Sequence, residues 1–260
     1  MPSTVVEELI QLLALERLED NLFRGASRDI GTTNVFGGQV LGQALSAAQQ
    51  TVDASRPAHS MHAYFLRAGD IKAPIVYAVE RTRDGHSFSS RRVVAIQHGK
   101  PILNSSVSFQ IEESGVEHQA PMPDVPRPES LAPPAPLAAE ERQHLPVKLQ
   151  RWLDRNGPFE YRRVTPRDEL NPAPQPPQQY VWFRLTERIA DAPSLHRALL
   201  TYASDFHLIS TITLPHGISF LQSNVQVASL DHALWFHRPF RIDEWLLYAC
   251  DSPTAQGARG

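Results

Sequence analysis

One carboxylate stands out. Asp205 is the only Asp or Glu between Leu195 and Thr213, in a run whose apolar residues Leu195, Leu199, Tyr202, Phe206 and Ile209 recur at intervals of 4, 3, 4 and 3. That spacing predicts one buried helical stripe, widened by Leu200, Ala203 and Leu208. An Asp in mid-helix has poor propensity, and an unpaired buried carboxylate costs several kcal/mol. Burial raises a carboxyl pKa toward the range useful for a general base, which is one reading of Asp205; the other, a solvent-facing Asp or one satisfied by a neighbouring hydroxyl, stays open at this point.

The second chemically dense stretch is Val225 to Pro239, VQVASLDHALWFHRP. Ser229 lies in a strand-like run where its hydroxyl faces the helix, with Asp231, His232 and His237 beside it. The histidines have no metal-ligand spacing and are read as structural hydrogen-bonding groups. Cys250, the single cysteine, sits in the apolar run WLLYAC and reads as a buried, inert thiol. No G-x-S-x-G elbow, phosphate-binding loop or dinucleotide fingerprint is present, so a covalent serine, nucleotide-driven or dinucleotide redox mechanism has no sequence support. Neither a metal nor a cofactor is expected.

The elements that must carry these residues come in two copies. Phe65 to Ala78 (FLRAGDIKAPIVYA) returns 171 positions later as Phe236 to Ala249 (FHRPFRIDEWLLYA), with five of the fourteen residues identical and no gap. An internal repeat implies two copies of one structural unit. In the first copy we expect a helix to about Asp20, a strand near Leu22 to Ile30 and an alanine-rich helix opened by Phe36-Gly37-Gly38-Gln39. Strands follow at Ser60 to Leu66, Ile75 to Arg83, Phe88 to Gln97 and Pro101 to Glu112. The second copy has strands Phe159 to Val164 and Tyr180 to Thr186. A helix then starts at Pro193-Ser194 and runs through Thr211, followed by strands Val225 to Phe236 and Trp245 to Cys250. A helix wrapped by a strongly curved antiparallel sheet is the simplest packing, an α+β fold.

Between the copies, Gln119 to Pro146 holds eight prolines in 28 residues, a semi-rigid linker, and Lys148 to Asn156 (KLQRWLDRN) reads as a short helix. The domain division is therefore 1–118, a linker at 119–157, and 158–260. With 25 basic and 28 acidic residues there is no bulk electrostatic case for nucleic acid or an anionic membrane. Acids inside the first apolar stretch argue against a signal peptide, and no apolar run is long enough to span a bilayer. A cytoplasmic protein and a homo-oligomer are expected.

The runs VFGGQVLGQAL, HSMHAYFLRAGD, RDGHSFSSRRV, LLTYASDFHLI and SLDHALWFHRPF, in this order from Leu9 to Gly260, resemble the acyl-CoA thioesterase II family of double-hotdog thioesterases. The resemblance implies two hotdog units in one chain and hydrolysis of fatty acyl-CoA to free acid and CoA without metal or cofactor. It also implies a water activated by Asp205, in YASD, and by Ser229, which stands where better-known members have Thr. The family's third group, a Gln, falls about 20 residues past Gly260 at the repeat offset, so the second unit reads as clipped; Gln110 holds the equivalent place in the first unit, without the role. Backbone N–H groups at a helix start are the expected oxyanion donors, and the acyl chain is expected in an apolar tunnel between helix and sheet. Two other readings stay open: a non-catalytic acyl-CoA binding or assembly protein, and a hotdog-type enoyl-CoA hydratase in which His207 or His232 reaches the substrate.

Overall fold

The computed structural model describes residues 4–133, 143, 150, 157–169, 171–219 and 225–260. They form two compact units, each interrupted in sequence: Met1–Val116 with Ile189–Asp205 and Ser229–Arg241, and Glu117–Arg188 with Phe206–Ala228 and Ile242–Gly260.

The first unit begins with α1 (Val5–Leu13), whose Thr4 and Glu7 form a reciprocal capping box. Its buried stripe, Val6, Leu9, Leu12 and Leu13, ends at Leu13, and so does the helix. The expected continuation to Asp20 is instead a charged, wholly exposed edge strand, β1 (Glu16–Glu19), paired with β2 (Leu22–Gly25). Charge along an edge strand discourages pairing with another chain. The sheet continues with β3 (Ala58–Phe65), β4 (Ile75–Asp84), β5 (Phe88–Gln97), β6 (Lys100–Gln110) and β9 (Asp231–Trp235). The order is β1-β2-β4-β5-β6-β3-β9, antiparallel throughout. Alternation sets the faces: β5 buries Ser89, Arg91, Val93, Ala95 and Gln97 and turns the intervening residues outward.

Helix α2 (Gly37–Gln49) lies on the inward face, against a core that includes Leu41, Leu45, Met61, Tyr77, Val93, Leu103 and Phe109. It is buried nearly all round, so its polar residues must find partners inside the protein. Gln43 Nε2 donates to the Leu12 and Ala26 carbonyls, and Tyr77 donates its hydroxyl to Gln43 Oε1. Gln39 donates to Ala26 and accepts from the Arg28 N–H. Arg91, buried on β5, donates to the Thr51 hydroxyl and carbonyl and pairs with Asp84, tying the far end of α2 to the β4–β5 hairpin.

Two elements of the second repeat complete this unit. Strand β9 pairs with β3 so that His62 faces Ala233, its own counterpart 171 residues on, which places a local two-fold between the copies of this strand. Helix α3 (Pro193–Ala203) packs on α2 through glycine: a Cβ on Gly38 would lie 2.3 Å from the Tyr202 carbonyl oxygen, and one on Gly42 would lie 3.1 Å from that of Ala198. The division at 118 and 158 describes the repeat, whereas packing cuts across it, because helix contact and strand pairing both join the copies.

The second unit holds an antiparallel sheet β10-β8-β7, formed by β7 (Phe159–Arg163), β8 (Gln178–Leu185) and β10 (Leu246–Asp251), with α4 (Leu208–Thr213) beside β10. Cys250 is buried in it, and burial pushes its thiol up to about 11 against the pull of the Thr211 hydroxyl, as suits an inert residue. Of the proline-rich stretch, the described part has a short 3-10 turn at Pro128–Ser130, and the Trp182 indole donates to the Pro126 carbonyl. The helix expected at Lys148 to Asn156 lies outside the described residues apart from Gln150.

The long helix expected from Pro193 through Thr211 is two helices. It stops at Ala203, where the Ser204 hydroxyl takes the Thr201 carbonyl, and His207 adopts φ 69, in the left-handed region, before α4 begins. Asp205 is therefore in the turn after α3 and not in mid-helix. Likewise Ser229 precedes β9 instead of lying within the strand.

The glycines at the α2–α3 contact make opposite demands on an added methyl group. Gly38→Ala removes the intrinsic penalty of helical glycine, about 1 kcal/mol, yet drives a Cβ into backbone. We expect a net loss of about 1–3 kcal/mol in urea denaturation. Gly42→Ala, whose Cβ would meet the side-chain end of Leu13 at 3.0 Å and the Ala198 carbonyl oxygen at 3.1 Å, trades mild crowding for helix propensity and is expected to be close to neutral.

Candidate active site

The turn after α3 brings the Asp205 carboxylate to the start of α2. The N-cap residue there, Phe36, offers no side-chain acceptor to the free N–H groups of the first turn. Asp205 supplies the acceptor from another element: it takes the Gly38 N–H, and its Oδ2 would lie 2.6 Å from a Cβ on Gly37. The glycine pair is thus what lets the carboxylate approach. An anion at this position also gains from the helix dipole.

The surroundings are apolar. The Phe65 ring reaches within 3.0 Å of the position a Gly37 Cβ would take, and Phe36 meets Tyr202 edge to face at 5.1 Å. Only 8% of the Asp205 side chain is exposed. Burial accordingly pushes its carboxyl up to about 6, while the Gly38 N–H and the Ser229 hydroxyl pull the other way. The group is mostly ionised at neutral pH and accepts a proton readily, the condition for a general base.

Ser229 Oγ is 3.5 Å from Asp205 Oδ1, a long donor contact. The segment that carries it is held by the Leu230 carbonyl, which accepts the Phe65 N–H at 2.9 Å and so extends the β3–β9 pairing toward the site. His232, on β9, points inward with its side chain 6% exposed and Nδ1 3.9 Å from Asp205 Oδ1. Its Nε2 lies 2.9 Å from Ser204 Oγ. Burial holds the imidazole pKa below its ordinary value, with the charge of Asp231 opposing.

The other residues singled out in the sequence lie elsewhere. Asp231 and His237 are exposed, and Gln110 ends β6 with its amide on Glu113. His207 packs on the Tyr161 ring at 5.0 Å, its pKa pushed down to about 3 by burial and then by the charge of Arg163. A cavity of about 270 Å³ in the second unit is lined by Arg163, Arg167, Gln175, Gln178 and Gln179 among others. What sequence reasoning missed is the work of Gly37, Gly38 and Ser204; the Gly-Gly pair at a helix start was the available signal.

Ionisation of Asp205 opposes folding. Its pKa in the folded protein, about 6, lies above the ordinary 3.8, so the stability it contributes is fully present below about pH 4 and is lost as pH rises through 6. The interval corresponds to about 3 kcal/mol at most. Asp205→Asn should therefore be more stable than wild type at pH 7.5, with the difference vanishing near pH 4 in chemical denaturation at both pH values.

Known proteins resemble this chain over nearly its whole length. The family model described as acyl-CoA thioesterase matches residues 157–260, and that for the acyl-CoA thioesterase N-terminal domain matches residues 26–110. The chain is 43% identical over 258 residues to acyl-CoA thioesterase 2 of Haemophilus influenzae, covering 99% of this chain and 90% of that protein. It is 41% identical to human acyl-coenzyme A thioesterase 8, covering 96% and 80%. Among solved structures, the acyl-CoA thioesterase II TesB2 of Mycobacterium marinum is 42% identical with a TM-score of 0.77, covering 96% of this chain and 87% of that one. The architecture is the double hotdog.

Proposed function

Because this chain belongs to the acyl-CoA thioesterase II family and hydrolyses acyl-CoA thioesters, we propose that Asp205 and Ser229 hold and activate the attacking water. The observation that carries this reading is the buried Asp205 carboxylate, seated on the first turn of α2 with a hydroxyl beside it and a pKa of about 6. Water donates one hydrogen to Asp205 Oδ1 and accepts the Ser229 hydroxyl, whose single hydrogen turns to it from the long Asp205 contact. As its oxygen attacks the thioester carbonyl, Asp205 takes the proton and the carbonyl oxygen becomes an oxyanion. Collapse of the tetrahedral intermediate breaks the C–S bond and expels the CoA thiolate. A thiol has a pKa of about 8.5, so the leaving group needs little acid assistance, and the proton held by Asp205 is enough to neutralise it.

The oxyanion donor in this reading is the Gly37 N–H, the first of α2, which makes no hydrogen bond among the described residues. The acyl group is read as a fatty chain laid along apolar surface beside Phe36 and Phe65. A cytoplasmic homo-oligomer is the assembly we propose. No helix among the described residues is long and apolar enough to cross a membrane, and the outer face of β3 and β9 exposes Tyr64 and Trp235, with Leu230 beside them.

Asp205→Asn is expected to lower kcat by 10² or more with KM for a long-chain acyl-CoA little changed, measured by thiol release. In wild type, kcat/KM should rise with pH to a plateau with a midpoint near 6. Ser229→Thr should keep activity and Ser229→Ala lose most of it. An acyl ester trapped on Ser229, detected by mass spectrometry, would replace this mechanism with a covalent one.

A further inference from the structure

We propose that His232 is a positioning residue for Asp205: Ser204 locks its imidazole in the tautomer that turns an unprotonated Nδ1 toward the carboxylate. The inference rests on the reading of Asp205 as the base. Ser204 Oγ lies 2.9 Å from the Thr201 carbonyl oxygen and 2.9 Å from His232 Nε2. A hydroxyl has one hydrogen and a carbonyl only accepts, so that hydrogen goes to Thr201. The Ser204 oxygen is left as an acceptor, and Nε2 must carry the proton that it accepts. The ring is buried and neutral, so Nδ1 has a lone pair, and it lies 3.9 Å from Asp205 Oδ1.

A lone pair facing a carboxylate repels the ionised form and welcomes the protonated one. His232 therefore makes Asp205 a stronger base at the oxygen that faces Ser229, while Oδ2 is kept over the start of α2. The groups facing Asp205 are the Gly38 N–H from α2, Ser229 from the segment before β9, and His232. Facing His232 are Asp205 and Ser204 from the end of α3; Asp231 acts from its own strand, and Ala63, its partner on β3, does not titrate.

Two substitutions attack this device from different sides. His232→Gln places an amide N–H where Nε2 stood and removes Nδ1. Ser204→Ala leaves the ring in place but frees it to move its proton to Nδ1 and donate it to Asp205. Both should lower the pH midpoint of kcat/KM by about half a unit or more, because both remove what favours protonated Asp205. Both should also reduce kcat about tenfold with KM unchanged. In ¹⁵N-histidine-labelled wild-type protein, the His232 signal should show an unprotonated Nδ1. A protonated Nδ1 in that spectrum, or two folded variants with reduced Tm and an unmoved midpoint, would overturn the proposal and leave His232 a packing residue. Asp205→Asn assayed alongside separates the readings: if it stays active the base itself is misassigned, and if it alone is inactive only the positioning role fails.

Discussion

The contact on which the rest of this protein depends is that of one carboxylate with the start of one helix. An α-helix begins with N–H groups that have no partner of their own, and here the residue before α2, Phe36, brings a ring instead of a cap. Asp205 takes that role from across the α2–α3 contact. The same placement satisfies the helix, holds the carboxylate in an apolar pocket and leaves one of its oxygens toward Ser229. Because burial outweighs the donors, the group stays close to its titration range instead of becoming a permanently ionised cap.

That arrangement requires the two helices to approach along backbone, which at Gly38 only glycine allows. Gly38 lies against the Tyr202 carbonyl and Gly42 near that of Ala198, one helical turn apart on the face of α2 that meets α3. The remaining faces of α2 are fixed by buried amides. Gln39 and Gln43 bind the backbone at Leu12 and Ala26, and Tyr77 binds Gln43, so the helix cannot rotate or slide without stranding polar groups in the core. A helix with an apolar surface on every side would tolerate small rotations that the site would not.

The internal repeat acquires a physical meaning here. Copies of one strand lie side by side, with His62 facing Ala233, and this pairing puts the segment before β9 next to the end of β3. The helices then divide the labour. The first copy supplies glycines and free N–H groups at the start of α2 and carries no acid; the second supplies the acid at the end of α3 and, from the segment before β9, the hydroxyl. Neither copy holds both halves of the proposed site. A chain with two such units in sequence can let them diverge, whereas a symmetric pair of identical chains would have to repeat every change twice.

Periodicity and composition, read along the chain, located most of the strands, the start of α2, the repeat, the inert character of Cys250 and the exceptional status of Asp205. These are local matters: a lone acid in an apolar run is costly wherever the chain folds, and alternation reports burial without knowledge of the partner. The tertiary structure alone decided where the helix after Pro193 ends. Its stripe continues through Phe206 and Ile209 in the sequence, but the unpaired N–H groups of α2, more than 160 residues earlier, draw Asp205 out of helical register. It also decided that Ser204 and His232 lie beside Asp205, since a hydroxyl shared between a carbonyl and a ring nitrogen is a property of distances between elements. The sequence by itself determined which residues were expensive to bury; packing determined which neighbours offset that expense, because hydrogen bonds between elements depend on an approach that no spacing along the chain encodes.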